Sequence, residues 1–532
     1  MSVYLKEEHG IKKLIVNDNP YIMLAGEVHN SNSSSVEQME TVWDKAESLG
    51  MNTLLLPVSW EMIEPKEGVF DFSIVEGLVL QARRRGKKIV FLWFGTWKNA
   101  QCMYAPEWVK KDINRFKRAE VKKGKNKTML ENFYGIPYTS LSFLSSETKE
   151  SDTKSFRMLM RFIKEIDEKE NTVVMVQVEN ETGLQGSARE NSDEADRLFE
   201  SAVPADFVAY MKSNTETMNE DVKSSVLSGS SSGSWKEVFG DIAEEIFSAY
   251  YISGYVGDIA RGGREEYDLP MLANCWLDKG EEAGRFPSGG PVSRVMEVWK
   301  YRAPAVDVLA PDIYVHNFCE VCDSYIKMNN PLLIPETATH SYAGPRQTYV
   351  IGHYHAMGFA PFGFEEMGEP FSAIDMYLFG ADTTDPALGT PQNVDEYSWY
   401  SNTLSDMMPL LSDKYGTKDL QAVICERKED DTMIFDDYGF KIIMDNPRLS
   451  RKDGVCLILK EAKDEFYIIA NGCIVTYFSN NEGLPNVDII SLEEGKIEEG
   501  KWKVTKRLNG DEAASMLYEE PKLLKIKLFA YN

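Results

Sequence analysis

Eight short apolar runs, at residues 21–26, 52–58, 88–93, 172–178, 270–276, 306–314, 332–335 and 360–364, are separated by longer stretches, several with helical spacing. Such alternation predicts parallel strands covered by helices, because a parallel connection needs a crossover long enough to hold one. Eight is the number that closes a sheet of this kind into a barrel. The stretches 36–49, 74–85, 155–167 and 205–214 are predicted helices, and Gly50 and Gly86 stand where two of them stop. Upstream, 12–16 and the turn Asn17, Asp18, Asn19, Pro20 predict a hairpin that plugs the barrel's lower end.

Beyond Thr417 the texture changes to short strand-like runs divided by turns, from 422–425 to 523–530, which is the pattern of a β-sandwich. The expected architecture is therefore α/β: a (β/α)8 TIM barrel with its N-terminal hairpin over 1–382, a linker and helix over 383–415, and a smaller all-β sandwich over 416–532. No aromatic platform marks the sandwich, so it is expected to brace the barrel. The serine-rich stretch 224–234 reads as a flexible loop at the barrel's mouth.

With 58 basic against 84 acidic side chains the chain carries a net charge of −26, which argues against nucleic acid and anionic membranes and favours a neutral small molecule such as a sugar. The basic stretch 110–127 lacks interleaved aromatics and reads as a solvated loop. Seven scattered cysteines read as reduced thiols, and the first ten residues lack the apolar core of a signal peptide, so a cytoplasmic location is expected. No run approaches the roughly 18 apolar residues of a membrane span. Cys319 and Cys322 lack a second pair at zinc-site spacing, His353 and His355 lack an acidic partner, and Gly95 stands alone. Neither a metal nor a cofactor is expected.

The run 172–178 breaks into Glu179, Asn180, Glu181, Thr182 and Gly183, and the later run Pro331, Leu332, Leu333, Ile334, Pro335 ends in Glu336. Both carboxylates fall where barrel enzymes hold their catalysts, at the carboxyl ends of strands. A carboxylate closing an apolar run needs a buried partner unless it faces a cavity. Two carboxyl groups facing each other are the minimum for cleaving a glycosidic bond. Glu181 and Glu336 are thus the candidate catalytic pair, and the residues alone leave open which donates the proton. At the same mouth Glu27 and Asn30 are candidate readers of sugar hydroxyls, Trp97 after the third strand is a candidate aromatic face for the sugar with Asn99 a candidate contact beside it, and Trp276 after the fifth is the preferred aromatic platform.

Asn180 and Glu181 after one strand, with Glu336 closing a later one, resemble the clan A glycoside hydrolases. Residues 55–60 followed by Glu64, Pro65, Glu67, Gly68, Phe70, Asp71 and Phe72 resemble the second strand and loop of β-galactosidases in families 35 and 42, as does the block 177–183. Residues 26–30, 93–99 and 105–109 look like the bacterial branch of family 35 that carries a β-sandwich after the barrel. The resemblance implies a retaining, exo-acting β-galactosidase working by double displacement on small oligosaccharides or glycosides. Glu336 is then the nucleophile and Glu181 the acid and base, Asn180 holds the sugar's 2-hydroxyl, and Tyr314 steadies the nucleophile. Residues 26–30 and 93–99 differ from the runs of ordinary family 35 members. A β-glucosidase or β-glucosyltransferase with the same pair is therefore the alternative, and a non-catalytic carbohydrate-binding barrel a further one. Families of this kind often form dimers, although no surface stripe marks a homodimer here.

Overall fold

A computed structural model describes residues 3–122, 127–132, 135–372, 389–427 and 431–532. The eight predicted runs form one closed parallel barrel: Met23–Glu27, Thr53–Ser59, Lys88–Phe94, Val173–Val178, Met271–Trp276, Val308–Ile313, Leu333–Thr337 and Gly358–Pro361. Nearly every residue of these strands is buried, since side chains fill the interior and helices cover the outside. The eighth strand starts and stops earlier than predicted, because Gly363 takes φ 63° and turns the chain into the short helix Phe364–Glu366.

The helices Val36–Ser48, Ser73–Arg84 and Ala205–Ser213 lie close to their predicted bounds. Ser146–Asp167 starts well before residue 155, where Ser145 caps it by accepting from the Thr148 N–H. Its first turns are polar, so the apolar spacing began too late to mark them. The 24-residue helix Ala243–Glu266 carries no amphipathic signal because it is buried on most of its surface; Gly254 and Gly257 let Arg302 and Ala303 approach its backbone.

The serine-rich stretch is not a flexible loop. Its first half completes the helix Glu220–Ser228, and Ser234 forms a capping box with Glu237 at the start of Trp235–Phe239. Trp235 is then buried against Phe207, Phe239, Phe247 and Tyr250. Serines read as solvent-loving by composition are here helix-ending and helix-starting residues, a use of the same hydroxyls that depends on the flanking apolar anchors.

At the other end of the chain, Val3–Glu8 pairs with Ile11–Val16, and Asn19–Pro20 adds a short third strand. The Asn171 side chain donates to Asn17 Oδ1 at 2.6 Å just before the fourth barrel strand, which sets this small sheet at the amino ends of the strands.

The helix predicted after the barrel is two, Val394–Asp406 and Met408–Lys414, divided where Pro409 enters the second one's first turn. Two antiparallel sheets follow. One holds six strands, in spatial order Leu420–Ile424, Val455–Ala462, Glu465–Asn471, Lys522–Tyr531, Asn486–Glu498 and Lys501–Leu508; the other holds Thr432–Phe435, Tyr438–Ile443, Cys473–Ser479 and Leu517–Tyr518. Phe435, Phe440, Phe466, Ile468 and Ile526 pack between them. Leu457, Leu459, Ile469 and Leu523, on the opposite face of the larger sheet, belong to the barrel's own core. The boundary expected at 382/383 lies outside the described residues. Among the described residues no helix is long and apolar enough to cross a membrane.

The two parts are also joined by a buried ion pair. Arg346, on the barrel helix Ala343–Tyr349, is fully buried and donates from Nε to Glu426 Oε2 at 2.9 Å, with its guanidinium 4.3 Å from the Phe318 ring. Its third nitrogen lies 3.0 Å from His340 Nε2; burial and the arginine's charge hold that imidazole well below its ordinary pKa, so it accepts as a neutral ring. Arg346→Met leaves Glu426 without its partner and is expected to lose about 3–5 kcal/mol of stability, read as a lower Tm and faster proteolysis of the C-terminal domain.

Candidate active site

The fourth strand ends in a turn that no ordinary run of L-residues prefers. Glu179 and Glu181 both take left-handed backbone, φ 63° and 42°, a conformation that costs non-glycine residues of order 1–2 kcal/mol each. Tertiary hydrogen bonds hold it. The Asn180 N–H donates to Trp97 O at 3.3 Å and the Ala100 N–H to Glu181 O at 3.1 Å, while the Glu181 N–H donates to Asn274 Oδ1 at 3.0 Å.

Glu179 braces the turn from below. Its Oε2 accepts from the Trp97 N–H at 2.7 Å, and beside it Asp152 accepts from Trp93 Nε1, the Thr96 N–H and Thr96 Oγ1 at 2.8, 3.0 and 2.6 Å. Burial first, then the charge of Asp152, holds Glu179 well above the usual carboxylate range. Gly95 is the wedge between them: a Cβ there would meet Trp93 Nε1, Glu179 Oε1 at 2.7 Å and Asp152 Oδ1 at 2.8 Å. Because those atoms are pinned by their hydrogen bonds, Gly95→Ala is expected to destabilise by about 2–3 kcal/mol, seen as a lower Tm.

Glu336 stands opposite, at the end of the seventh strand. Its Oε1 accepts from Asn180 Nδ2 at 3.3 Å and Asn274 Nδ2 at 3.1 Å, and its Oε2 from the Tyr314 hydroxyl at 3.1 Å. Three donors of this kind stabilise negative charge on the group that receives them. Asn274 Nδ2 also donates to Asp312 Oδ2 at 2.8 Å. One oxygen each of Glu181, Asp312 and Glu336 lies within 4.8 Å of the other two. Burial, and then the charge of Glu336, pushes Glu181 up to about 7, partly offset by Lys98 and by a hydrogen bond with Asp312. Asp312 is raised well above its ordinary range by burial, then by Glu336 and Glu181. The three carboxyls thus differ in environment: one is surrounded by donors, and two are pressed toward their protonated forms.

The remaining predicted residues separate into groups. Glu27, at the end of the first strand, is completely buried, and neither of its oxygens has a hydrogen-bond partner among the described residues. Its pKa is raised well above the carboxylate range, first by burial and then by the charge of Glu336. Trp276 is half-buried and sits in register with Asp312 at the strand ends. Asn30 and Asn99 lie on the first and third loops; Asn30 Oδ1 is buried without a hydrogen-bond partner among the described residues, and Asn99 takes φ 52° in the turn hydrogen-bonded to Glu181. Trp97 corrects the expectation of an aromatic platform: it is 1% exposed, packs edge-on to Tyr255 at 4.8 Å and donates from Nε1 to Ser140, so its faces are spent in the core.

Asn274, Asp312 and Lys98 were not foreseen as site residues. Each left a trace in the sequence, a polar side chain at the end of an apolar strand or in the loop after it, but only the closed barrel shows that the three meet. A cavity of about 1000 Å³ lies near the loops after the fourth and fifth strands, around Gly186, Ser187, Glu245 and Gly284, and the catalytic candidates do not line it.

With this geometry in hand, the comparisons are specific about one segment. The family described as Glycosyl hydrolases family 35 matches residues 13–83, the first two barrel strands with their helices. The chain resembles the family 35 glycosyl hydrolases. A second family, described as Domain of unknown function (DUF5597), matches residues 401–518, nearly all of the C-terminal sheets. No curated protein matches the sequence. Among solved structures, the β-galactosidase from Bacillus circulans sp. alkalophilus is 13% identical, with 73% of this chain and 56% of that one covered and a TM-score of 0.43. The β-galactosidase from the psychrophilic Marinomonas ef1 is 12% identical, with 74% and 62% covered and a TM-score of 0.46. An exo-β-1,4-mannosidase from Opitutaceae bacterium strain TAV5 is 13% identical, with 76% and 62% covered and a TM-score of 0.42. The chain spans less than two thirds of the length of each of these structures.

Proposed function

We propose that the chain is a retaining, exo-acting β-glycosidase that releases a terminal β-linked sugar, with β-galactosides as the first substrates. The observation that carries this reading is the approach of Glu181 and Glu336 to within 4.8 Å, at the carboxyl ends of the fourth and seventh strands. That separation suits direct attack by one carboxylate on the anomeric carbon; an inverting pair needs room for a water, about 6.5–9.5 Å. The family 35 match supports a glycosidase.

In this scheme Glu336, held by Asn180, Asn274 and Tyr314, attacks the anomeric carbon as the protonated Glu181 gives its proton to the leaving oxygen. The glycosyl ester is then opened by water, from which Glu181 takes the proton. Burial of Glu181 keeps it protonated toward neutral pH, as the first step requires. Asn180 Oδ1, which has no hydrogen-bond partner among the described residues, is left to meet a sugar hydroxyl.

The test is a panel of nitrophenyl β-galactoside, β-glucoside and β-mannoside, followed by NMR of the first anomer released. Cleavage with the β-anomer appearing first is expected. Release of the α-anomer first, or no cleavage of any member, overturns the reading. Including a disaccharide as acceptor distinguishes water from a sugar as the group that opens the intermediate.

A further inference from the structure

Lys98 is a buried cation at the strand ends to which the scheme above gives no task. It lies in the loop after the third strand, 8% exposed, and among the described residues its ammonium faces the Phe94 ring, 5.1 Å from the centroid, without an ion-pair or hydrogen-bond partner. Burying an ammonium without hydrogen bonds is unfavourable by several kcal/mol. Its compensation is electrostatic: burial presses its pKa down, and Glu336, Glu181, Glu27 and Asp312 together more than reverse this. Glu27 shows the complementary condition, a carboxyl with two buried oxygens and no donor, and Lys98 is the cation that most opposes its burial. The Ala100 N–H to Glu181 O bond at 3.1 Å holds the loop of Lys98 against the Glu181 turn, and Glu27 ends the first strand on the same rim, so an ammonium and a carboxyl, neither with a hydrogen-bond partner among the described residues, stand together at the strand ends.

We propose that Lys98 is a specificity-determining residue, its ammonium donating to a hydroxyl oxygen of the terminal sugar while Glu27 accepts from the same or the adjacent hydroxyl. A sugar hydroxyl satisfies both, since it accepts and donates through one oxygen. A glycone carrying its own carboxylate suits the chamber poorly, because four carboxyl groups already surround the lysine. The inference rests on the glycosidase reading and adds a reader to it in the 93–99 run, where the sequence departs from ordinary family 35 members.

The experiment compares kcat/KM of wild type and Lys98→Met on the nitrophenyl glycoside that wild type cleaves best and on its 3-, 4- and 6-deoxy analogues. Wild type is expected to lose at least about tenfold on one analogue, and Lys98→Met to treat the parent and that analogue alike within about twofold. Equal deoxy penalties in both proteins overturn the assignment. Lys98→Leu, which likewise has no donor, serves if the methionine variant does not fold. A second readout separates contact from packing: with the lysine gone, Glu181 keeps Lys279 as a nearby cation among Glu27, Cys275, Asp312, Glu336 and Tyr314, and the descending limb of the pH profile moves to higher pH. A limb that stays in place overturns the position of the ammonium in the chamber. If wild type cleaves none of the glycosides, the functional reading itself fails, a result distinct from an active enzyme whose deoxy penalties do not depend on Lys98.

Discussion

Glu336→Gln is expected to lower kcat on nitrophenyl β-glycosides by about 10 000-fold or more, with binding of the glycone largely kept. The amide preserves the size of the side chain and can still meet Asn180, Asn274 and Tyr314, but it has no anionic oxygen to form the glycosyl ester. Steady-state kinetics measure the loss. A companion variant, Glu336→Gly, makes room for a small anion such as azide, which attacks from the vacated side and yields the α-glycosyl azide; recovery of that product assigns the nucleophile. A variant that keeps more than about a tenth of the wild-type rate transfers the role to Asp312, whose oxygen shares the same 4.8 Å cluster.

Glu181→Gln is expected to affect substrates unequally. A dinitrophenolate departs without help, whereas an alkyl or sugar oxygen needs a proton, so formation of the glycosyl-enzyme should slow by about 1000-fold on alkyl glycosides and by about tenfold or less on the dinitrophenyl glycoside. The pH profile supplies an independent check. Glu181, pushed up to about 7, donates only while protonated, so wild-type kcat/KM falls as the pH rises through that value. In the glutamine variant the descending limb disappears from this region. An unchanged limb would place the proton donor elsewhere, and equal losses on both substrates would make Glu181 a binding group.

Much of this could be read along the chain. Each barrel strand was legible because burial on both faces leaves an uninterrupted apolar run, and the two carboxylates stood out by ending such runs. Ala243–Glu266 was not legible for the converse reason: a helix buried on most sides has no polar face to give it a period. Trp97 misled because an indole near a strand end has the same sequence signature whether it faces a ligand or, as here, Tyr255 and Ser140.

By itself, then, the order of apolar and polar residues determined the barrel, the antiparallel sheets after it and the carboxyl ends on which Glu181 and Glu336 are carried, because periodicity and strand-end position are local properties. Only the tertiary structure decided which groups meet. Asn274, between Glu181, Asp312 and Glu336, joins three strands far apart in the chain. The left-handed turn at Glu179 and Glu181 holds because the loop after the third strand and Asn274 of the fifth bond to it. Closure of the barrel brings those strand ends onto one rim, and hydrogen bonds across such distances leave no pattern in neighbouring residues.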